Sequence, residues 1–474
     1  MPDKGTCDRM GCEMIAEKLL KYLPEALRHK VDSILNGTGD HEHSQRGALL
    51  AFAIRIASAA IAFLSQVLLA RWIGAHEFGI FTYVWVWVNI IGTLCAAGFA
   101  TSVVRFAPEY QQANKPDLVR GFVRTGRVFS TGMGLVATTA GLIVLYLFDG
   151  AVADYYRIPA AVALIALPAF ALTDFQDGLG RSQGWIDLAL VPPYIIRPFL
   201  LFTFIGGAVA IGWSKNAETA VYAAIAATWI TAVLQYLMQK KRMRQAVPAG
   251  PRRYKLGFWI KVSLPVIAIE SFALMMTNMD ILLLDLFVKP DQIAIYFAAA
   301  RTIALIAFVH FSVTAAVTPR FTRLYADGNM DGLRLFLKEA RKWTFLPSLA
   351  GGVILLILGK PILWLFGPEF TAGYPAMFAL VVGLLARSFA GPLQGLLIAT
   401  GQQNMAAMAM GAVVLVNISF NFLLIPRFGL VGAAAATAIS FTIESLLLYV
   451  TAQRVLSGAP PKKPQGHADA APAK

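Results

Sequence analysis

Four arginines stand inside apolar stretches of this sequence, where no loop can solvate them: Arg55, Arg197, Arg301 and Arg387. If those stretches cross a membrane, each guanidinium near mid-bilayer costs roughly 2.5–3.5 kcal/mol unless it is paired or wetted. The chemistry they offer is anion binding, because a planar guanidinium grips the oxygens of a diphosphate or an acidic sugar two at a time. Together they imply a water-filled, cationic cavity, with Arg301 and Arg387 nearest mid-span. The opposing reading is structural, each arginine pairing with an internal carboxylate to hold helices together. Carboxylates are present for either role: Asp174, Glu270, Asp280 and Glu444 fall within or near the ends of such stretches, and Asp285 falls near the expected outer face. One or more could carry a coupling proton or sodium ion, since a carboxylate in a low-dielectric cavity titrates readily. Asn278 and Asp280 occupy a span equivalent to that of Gln66, at an interface between lobes. His310, alone in its span, reads as a packing residue.

The elements that position these groups follow from composition. Of 474 residues, 57% are hydrophobic and only 14% charged, so lipid is the solvent for most of the chain. Apolar runs of the length needed to cross about 30 Å of hydrocarbon recur along it. They predict twelve spans: 48–72, 79–99, 128–148, 158–176, 188–212 and 219–238, then 262–287, 292–317, 344–366, 375–398, 405–425 and 430–453. The alternating pattern of barrel strands is missing, so the spans are helices, each satisfying its own backbone.

Basic residues in short loops stay on the cytoplasmic side. One set of connections carries Arg105, Lys115, Arg120 and Arg124, then the run from Lys240 to Lys255, then Arg320, Arg323, Arg334, Lys338, Arg341 and Lys342; the alternate connections carry one or two each. Both termini are therefore expected in the cytoplasm. Most of the net charge of +14 is explained without a nucleic-acid partner, although the basic rims would attract anionic headgroups.

Residues 1–47 read as a cytoplasmic extension that is not cleaved, with Ile15, Leu19, Leu23, Leu27, Val31 and Ile34 spaced as one face of a surface helix. The first six spans form a bundle over 48–238, a basic linker covers 239–261, the second six form a bundle over 262–455, and a Pro- and Ala-rich tail fills 456–474. Cys7, Cys12 and Cys95, with His41 and His43, do not make a metal set. No metal, disulfide or cofactor is expected. Pro192, Pro193 and Pro198, with Pro265 and Pro347, are expected to bend helices where lobes rock.

The chain repeats itself at a shift of about 214 residues. Arg105, Phe106, Tyr110 and Asn114 match Arg320, Phe321, Tyr325 and Asn329. After a one-residue gap, Arg120, Phe122, Arg124 and Arg127 fall on Arg334, Phe336, Lys338 and Arg341. Gln66-Val-Leu-Leu matches Asp280-Ile-Leu-Leu. A shift of six spans keeps the orientation, so the halves are parallel repeats about an axis along the membrane normal. The fold class is thus an all-α polytopic membrane protein, twelve helices in two parallel six-helix repeats facing a central cavity, an architecture that favours transport.

Four stretches then carry a resemblance to a known family: Leu-Leu-Ala-Arg-Trp-Ile-Gly-Ala-His-Glu-Phe-Gly-Ile-Phe (68–81), Trp-Leu-Phe-Gly-Pro-Glu-Phe (364–370), Ala-Thr-Gly-Gln-Gln (399–403) and Asn-Phe-Leu-Leu-Ile-Pro-Arg-Phe-Gly-Leu-Val-Gly-Ala-Ala (421–434). In these and their order the chain resembles the polysaccharide flippases of the multidrug/oligosaccharidyl-lipid/polysaccharide exporter superfamily, over nearly all of 48–455. The resemblance implies two facing bundles with a V-shaped cavity, non-enzymatic outward movement of a polyprenyl-diphosphate-linked oligosaccharide across a bacterial inner membrane, and a place in O-antigen, capsule or exopolysaccharide synthesis beside membrane lipids, a polymerase and chain-length machinery. Twelve spans, where the lipid II flippase branch has fourteen, argue against a peptidoglycan precursor. Two rivals remain: a multidrug cation antiporter, for which an acidic cavity is expected, and a membrane-embedded glycan polymerase or ligase, which would need a sizeable external loop bearing acid and base groups.

Overall fold

The structure, a computed structural model, describes residues 40–457 except 97, 149 and 151. The expected surface helix over Ile15 to Ile34 and the tail after Gly458 lie outside those residues. Every regular element among the described residues is helical: α1 Asp40–Cys95, α2 Phe99–Gln112, α3 Pro116–Leu147, α4 Asp154–Ala163, α5 Leu167–Ser182, α6 Ile186–Val191, α7 Arg197–Ala210 and α8 Ala217–Ala246 precede the linker, and α9 Leu256–Leu284, α10 Pro290–Ala326, α11 Met330–Ile357, α12 Gly359–Trp364, α13 Tyr374–Ala390, α14 Leu393–Ala399 and α15 Gln403–Ser457 follow it.

Ten runs among the described residues are long and apolar enough to cross a membrane. Two of them, Ala57–Gln112 and Asn404–Ser457, have 56 and 54 residues. At 1.5 Å per residue either would be roughly 80 Å long if straight, far more than the hydrocarbon thickness. Each is broken at a glycine instead: Gly74 at φ 81° inside α1 and Gly429 at φ 55° inside α15, backbone that L side chains rarely adopt. Each of these two runs is thus two helical segments. The connections expected at 73–78 and 426–429 are thus single-glycine breaks within helices.

A second difference lies at the opposite ends. The third and ninth spans, expected from 128 and 344, begin at Pro116 and Met330. Their extra turns are amphipathic: Leu118, Val119 and Phe122, and Leu333, Phe336 and Leu337, are buried, so the basic residues assigned to loops ride on helices instead. Pro at the first position of α3 and the Asn329 side chain accepting from Gly332 N at 2.8 Å start these helices.

The repeat is visible in packing. Phe106 and Phe122 have ring centroids 5.5 Å apart, and their counterparts Phe321 and Phe336 are 5.3 Å apart. The Arg127 guanidinium lies 4.9 Å over Tyr236 and that of Arg341 lies 5.0 Å over Tyr449. Arg120 donates to the carbonyls of Pro248 and Pro251 just after α8, as Arg334 does to Leu456 at the end of α15.

At the end away from the basic residues, one apolar core runs through both halves and includes Phe78, Phe81, Ile295, Phe297, Phe366 and Phe370. At the basic end there are two separate cores, one around Phe106 and Phe122 and one around Phe321 and Phe336. The halves are therefore clasped at one end and parted at the other. The clasp joins the two stretches 68–81 and 364–370: Arg71 donates to the carbonyls of Leu365 and Trp364, each at 2.7 Å, with its guanidinium 4.8 Å over the Trp364 ring. His76 Nδ1 meets Asp291 Oδ1 at 2.6 Å, and Tyr156 donates to Asp285 at 2.6 Å. Helix α9 bridges the parted end. Its start docks on the first half, where Trp259 Nε1 donates to Tyr110 and the Ser263 and Ser102 hydroxyls pair at 2.8 Å.

In lipid the association of helices relies on close packing more than on apolar burial, so small residues mark tight seams. A Cβ on Gly79 would stand 1.9 Å from the Pro290 carbonyl oxygen, inside the clasp, whereas one on Gly207 would meet nothing within 4 Å. Gly79→Val is expected to cost about 1–3 kcal/mol by overpacking, read as a lower thermal midpoint in detergent. Gly207→Ala should leave the midpoint unchanged or raise it; equal effects would remove the special role of this seam.

Candidate functional site

Between the halves lies a cavity of about 340 Å³ whose wall includes Gln66, Thr82 and Arg197 from the first half and Asn278, Phe297 and Arg301 from the second. Pro192–Ile196 form a wide helical turn that runs into α7, whose first residue is Arg197. Its guanidinium lies 5.1 Å over Phe170. Arg301 projects from α10 with its guanidinium 4.8 Å over Phe297, one turn earlier on the same face. Among the described residues neither arginine has a carboxylate at ion-pair distance; Asp174 acts on Arg197 from farther away. The buried Gln66 Oε1 and Thr82 Oγ1 also have no hydrogen-bond partner among the described residues. A buried polar group left unmade is costly, so this wall presents cations and open polar atoms to whatever enters.

A second cavity, also about 340 Å³, lies within the second half and contains Asp280, Tyr296, Arg387, Thr437 and Glu444. Asp280 Oδ2 accepts from Tyr296 OH at 2.6 Å and from the Thr437 hydroxyl, and its Oδ1 is 3.2 Å from Asn421 Nδ2 and 3.5 Å from Asn417 Nδ2. Asn421 Oδ1 is buried without a partner. The carboxylate is thus surrounded by four hydrogen-bond donors, two hydroxyls and two side-chain amides. No group of three or more His, Cys, Asp or Glu that could hold a metal is found among the described residues. Gln66 and Asp280, and Thr82 and Tyr296, are separated by the repeat shift of 214. These two pairs are therefore matching positions of the repeat, neutral Gln66 and Thr82 on the wall of the shared cavity and Asp280 and Tyr296 in the cavity of the second half.

The four arginines do not share one space. Arg197 and Arg301 face the central cavity; Arg387 lies in the second, 3.5 Å from Glu444 Oε1 and 5.1 Å over Phe441; the side chain of Arg55 lies outside the described residues. Asn278 lines the central cavity while donating to the Leu274 carbonyl at 3.0 Å. Glu270 accepts from the Thr101 hydroxyl, across the halves. Asp174 lies in the field of Asp177, Glu270, Arg181 and Arg197, and Asp177 pairs with Arg181 at 3.1 Å. Asn417, Asn421, Thr437 and Tyr296 were not singled out from sequence. The signal for two of them was there, since Asn417 and Asn421 are one helical turn apart in an apolar span.

Removing one partner of a buried ion pair strands the other charge, at about 3–5 kcal/mol when burial is complete. Arg387 keeps 28% of its side chain exposed, so Glu444→Ala is expected to cost about 1–3 kcal/mol. A double-mutant cycle with Arg387→Ala should recover at least about 0.5 kcal/mol of that, measured by thermal unfolding in detergent. Strict additivity would mean that Arg387 is free for another anion.

Comparison with known proteins places the fold and the family. The family model described as polysaccharide biosynthesis protein matches residues 44–325, and that described as lipid II flippase MurJ matches 196–467. The chain is 22% identical over 406 residues to the probable low-salt glycan biosynthesis flippase Agl15 of Haloferax volcanii, covering 85% of this chain and 82% of that one. It is 26% identical over 186 residues to the probable flippase AglR of the same organism, 39% of each chain. Among solved structures, an inward-facing multidrug resistance MATE family transporter of the MOP superfamily superposes with a TM-score of 0.71 at 15% identity, covering 86% of this chain and 98% of that one. The lipid II flippase MurJ in an inward closed conformation gives 0.68 at 16%, covering 85% and 87%. These likenesses establish a multi-span transporter fold, and the families matched are transporters and flippases rather than enzymes. With more than half of its length matched, the chain belongs to the polysaccharide biosynthesis protein family.

Proposed function

We propose that this protein is a lipid-linked glycan flippase that moves a polyprenyl-diphosphate-linked oligosaccharide from the cytoplasmic to the outer leaflet of a bacterial inner membrane, for O-antigen, capsule or exopolysaccharide synthesis. The observation that carries the reading is the pair Arg197 and Arg301, contributed by opposite halves to one cavity and not neutralised at contact distance. Two guanidiniums there suit a diphosphate approached from both sides. A cavity of about 340 Å³ suits the diphosphate–sugar linkage, with the rest of the glycan in the cleft between the parted ends. Relatives named as flippases support the substrate class. A cation antiporter would set its substrate against the same two positive charges.

In this reading the chain has twelve spans in bundles 48–238 and 262–455, the basic end faces the cytoplasm together with both termini, and the cleft is open inward. Transport is a rocking of the halves that opens the Arg71 and His76 clasp and closes the basic end. The Asp280 pocket is the place for a coupling sodium ion or proton, whose binding would bias the second half between its two positions. Polymerase and chain-length enzymes would take up the product on the outer face.

The test is leaflet accessibility of a polyprenyl-diphosphate oligosaccharide in proteoliposomes. The intact chain should accelerate exchange over empty vesicles, and Arg197→Ala and Arg301→Ala should each lower the rate at least tenfold, a loss of about 1.4 kcal/mol or more. Asp280→Asn should remove any dependence on a sodium or proton gradient while leaving gradient-free exchange measurable. Full exchange by both arginine variants would sink the cationic-cavity mechanism, and transport of a lipophilic cation without exchange of the glycolipid would replace the flippase with an antiporter.

A further inference from the structure

A larger cavity, about 830 Å³, lies between α3 and α8 at the basic end of the first half, and shares no lining residue with the central cavity. Six cationic side chains line it, Arg120, Arg124, Arg127, Lys240, Arg244 and Arg252, and no acidic one does. Arg120 is committed to the Pro248 and Pro251 carbonyls. Arg127 is not: it stacks on Tyr236, and its Nε and Nη2 are buried with no hydrogen-bond partner among the described residues. Lys240 Nζ approaches the same ring from 5.6 Å. Tyr236 thus gathers two cations around one ring on the wall of the groove.

The remaining wall is apolar and climbs along α3 through Val128, Gly132 and Leu135. Val128 and Leu135 expose 64% and 55% of their surface, and beside Gly132 there is open space. A charged floor at the headgroup level beneath an apolar channel along the hydrocarbon has the shape of a single phospholipid, phosphate below and acyl chain above. We propose that this groove binds an anionic phospholipid of the leaflet at the basic end, its phosphate between Arg127 and Lys240 with Arg244 closing the rim. The unmade hydrogen bonds of Arg127 are what the phosphate oxygens complete. This differs from general attraction of basic loops to a membrane in being a concave site with an uncommitted, buried donor.

The full chain in detergent, titrated with phosphatidylglycerol or phosphatidylcholine and read by native mass spectrometry, tests the assignment. Phosphatidylglycerol should be retained at least tenfold more strongly than phosphatidylcholine. Arg127→Gln should cut that retention at least fivefold, and so should the rim variant Arg244→Gln, which touches no packed core. Arg320→Gln, a basic residue of the other half, should leave it unchanged. Equal retention of the two lipids, or retention unmoved by Arg127→Gln and Arg244→Gln in protein with an unaltered thermal midpoint, overturns the site. Displacement of phosphatidylglycerol by inorganic pyrophosphate or a polyprenyl diphosphate at lower concentration also overturns it, by showing a diphosphate rather than a phospholipid subsite.

Discussion

The clasp of α1 against the start of α10 and the end of α12 determines what the rest of this molecule can do. In lipid, an apolar contact between helices has little advantage over contact with acyl chains, so what holds the halves together must be close backbone approach and satisfied polar groups. Gly79 against Pro290, Arg71 on two carbonyls and His76 on Asp291 supply both within one short stretch of α1. Because this contact lies at one end only, the other end is split into two cores. The cavity of Arg197 and Arg301 borders the clasp core, with Phe81, Val86 and Phe297 in its wall, and a cavity rather than closed lipid is where such charge is tolerated.

The internal duplication is kept in many helix contacts and departs at the positions that line the two cavities of about 340 Å³. Arg127 on Tyr236 and Arg341 on Tyr449, and the two phenylalanine pairs, are the same contacts made twice. Gln66 against Asp280 and Thr82 against Tyr296 are the same places filled differently. One half presents neutral polar atoms toward the arginines; the other encloses a carboxylate within a web of donors. Under the proposed function such a division would give two halves of one shape distinct duties, the shared cavity for an anion and the second pocket for a small cation or proton, so that occupancy of one would bias the rocking that exposes the other.

Much of this was legible in the residues, for physical reasons. Apolar runs near twenty residues announce helices because a lipid-exposed backbone has no other partner than itself. The repeat showed because Arg105, Phe106 and Tyr110 recur with their spacing intact. The connections at 73–78 and 426–429 were legible, but not that each narrows to a break at one glycine, Gly74 or Gly429, since a change of direction within one continuous helical ladder needs no turn-forming cluster. Which carboxylate meets which arginine was also hidden: Arg387 with Glu444 depends on the rotation of α13 against α15, and apolar periodicity in a span that is apolar on every side carries no facing information. The Asp280 web was missed for the same reason, as three of its four donors, Asn417, Asn421 and Thr437, come from 137 to 157 residues away in sequence.

The account stands or falls on whether the clasp must open. With Cys7, Cys12 and Cys95 replaced by serine, His76→Cys and Asp291→Cys place a removable bridge where the two side chains now meet at 2.6 Å. Glycolipid exchange in proteoliposomes is then compared before and after reduction. Rocking about this contact predicts that the oxidised protein binds the glycolipid from the basic side but does not exchange it, and that reduction restores the rate. Exchange at the full rate with the bridge shown to be formed would contradict it.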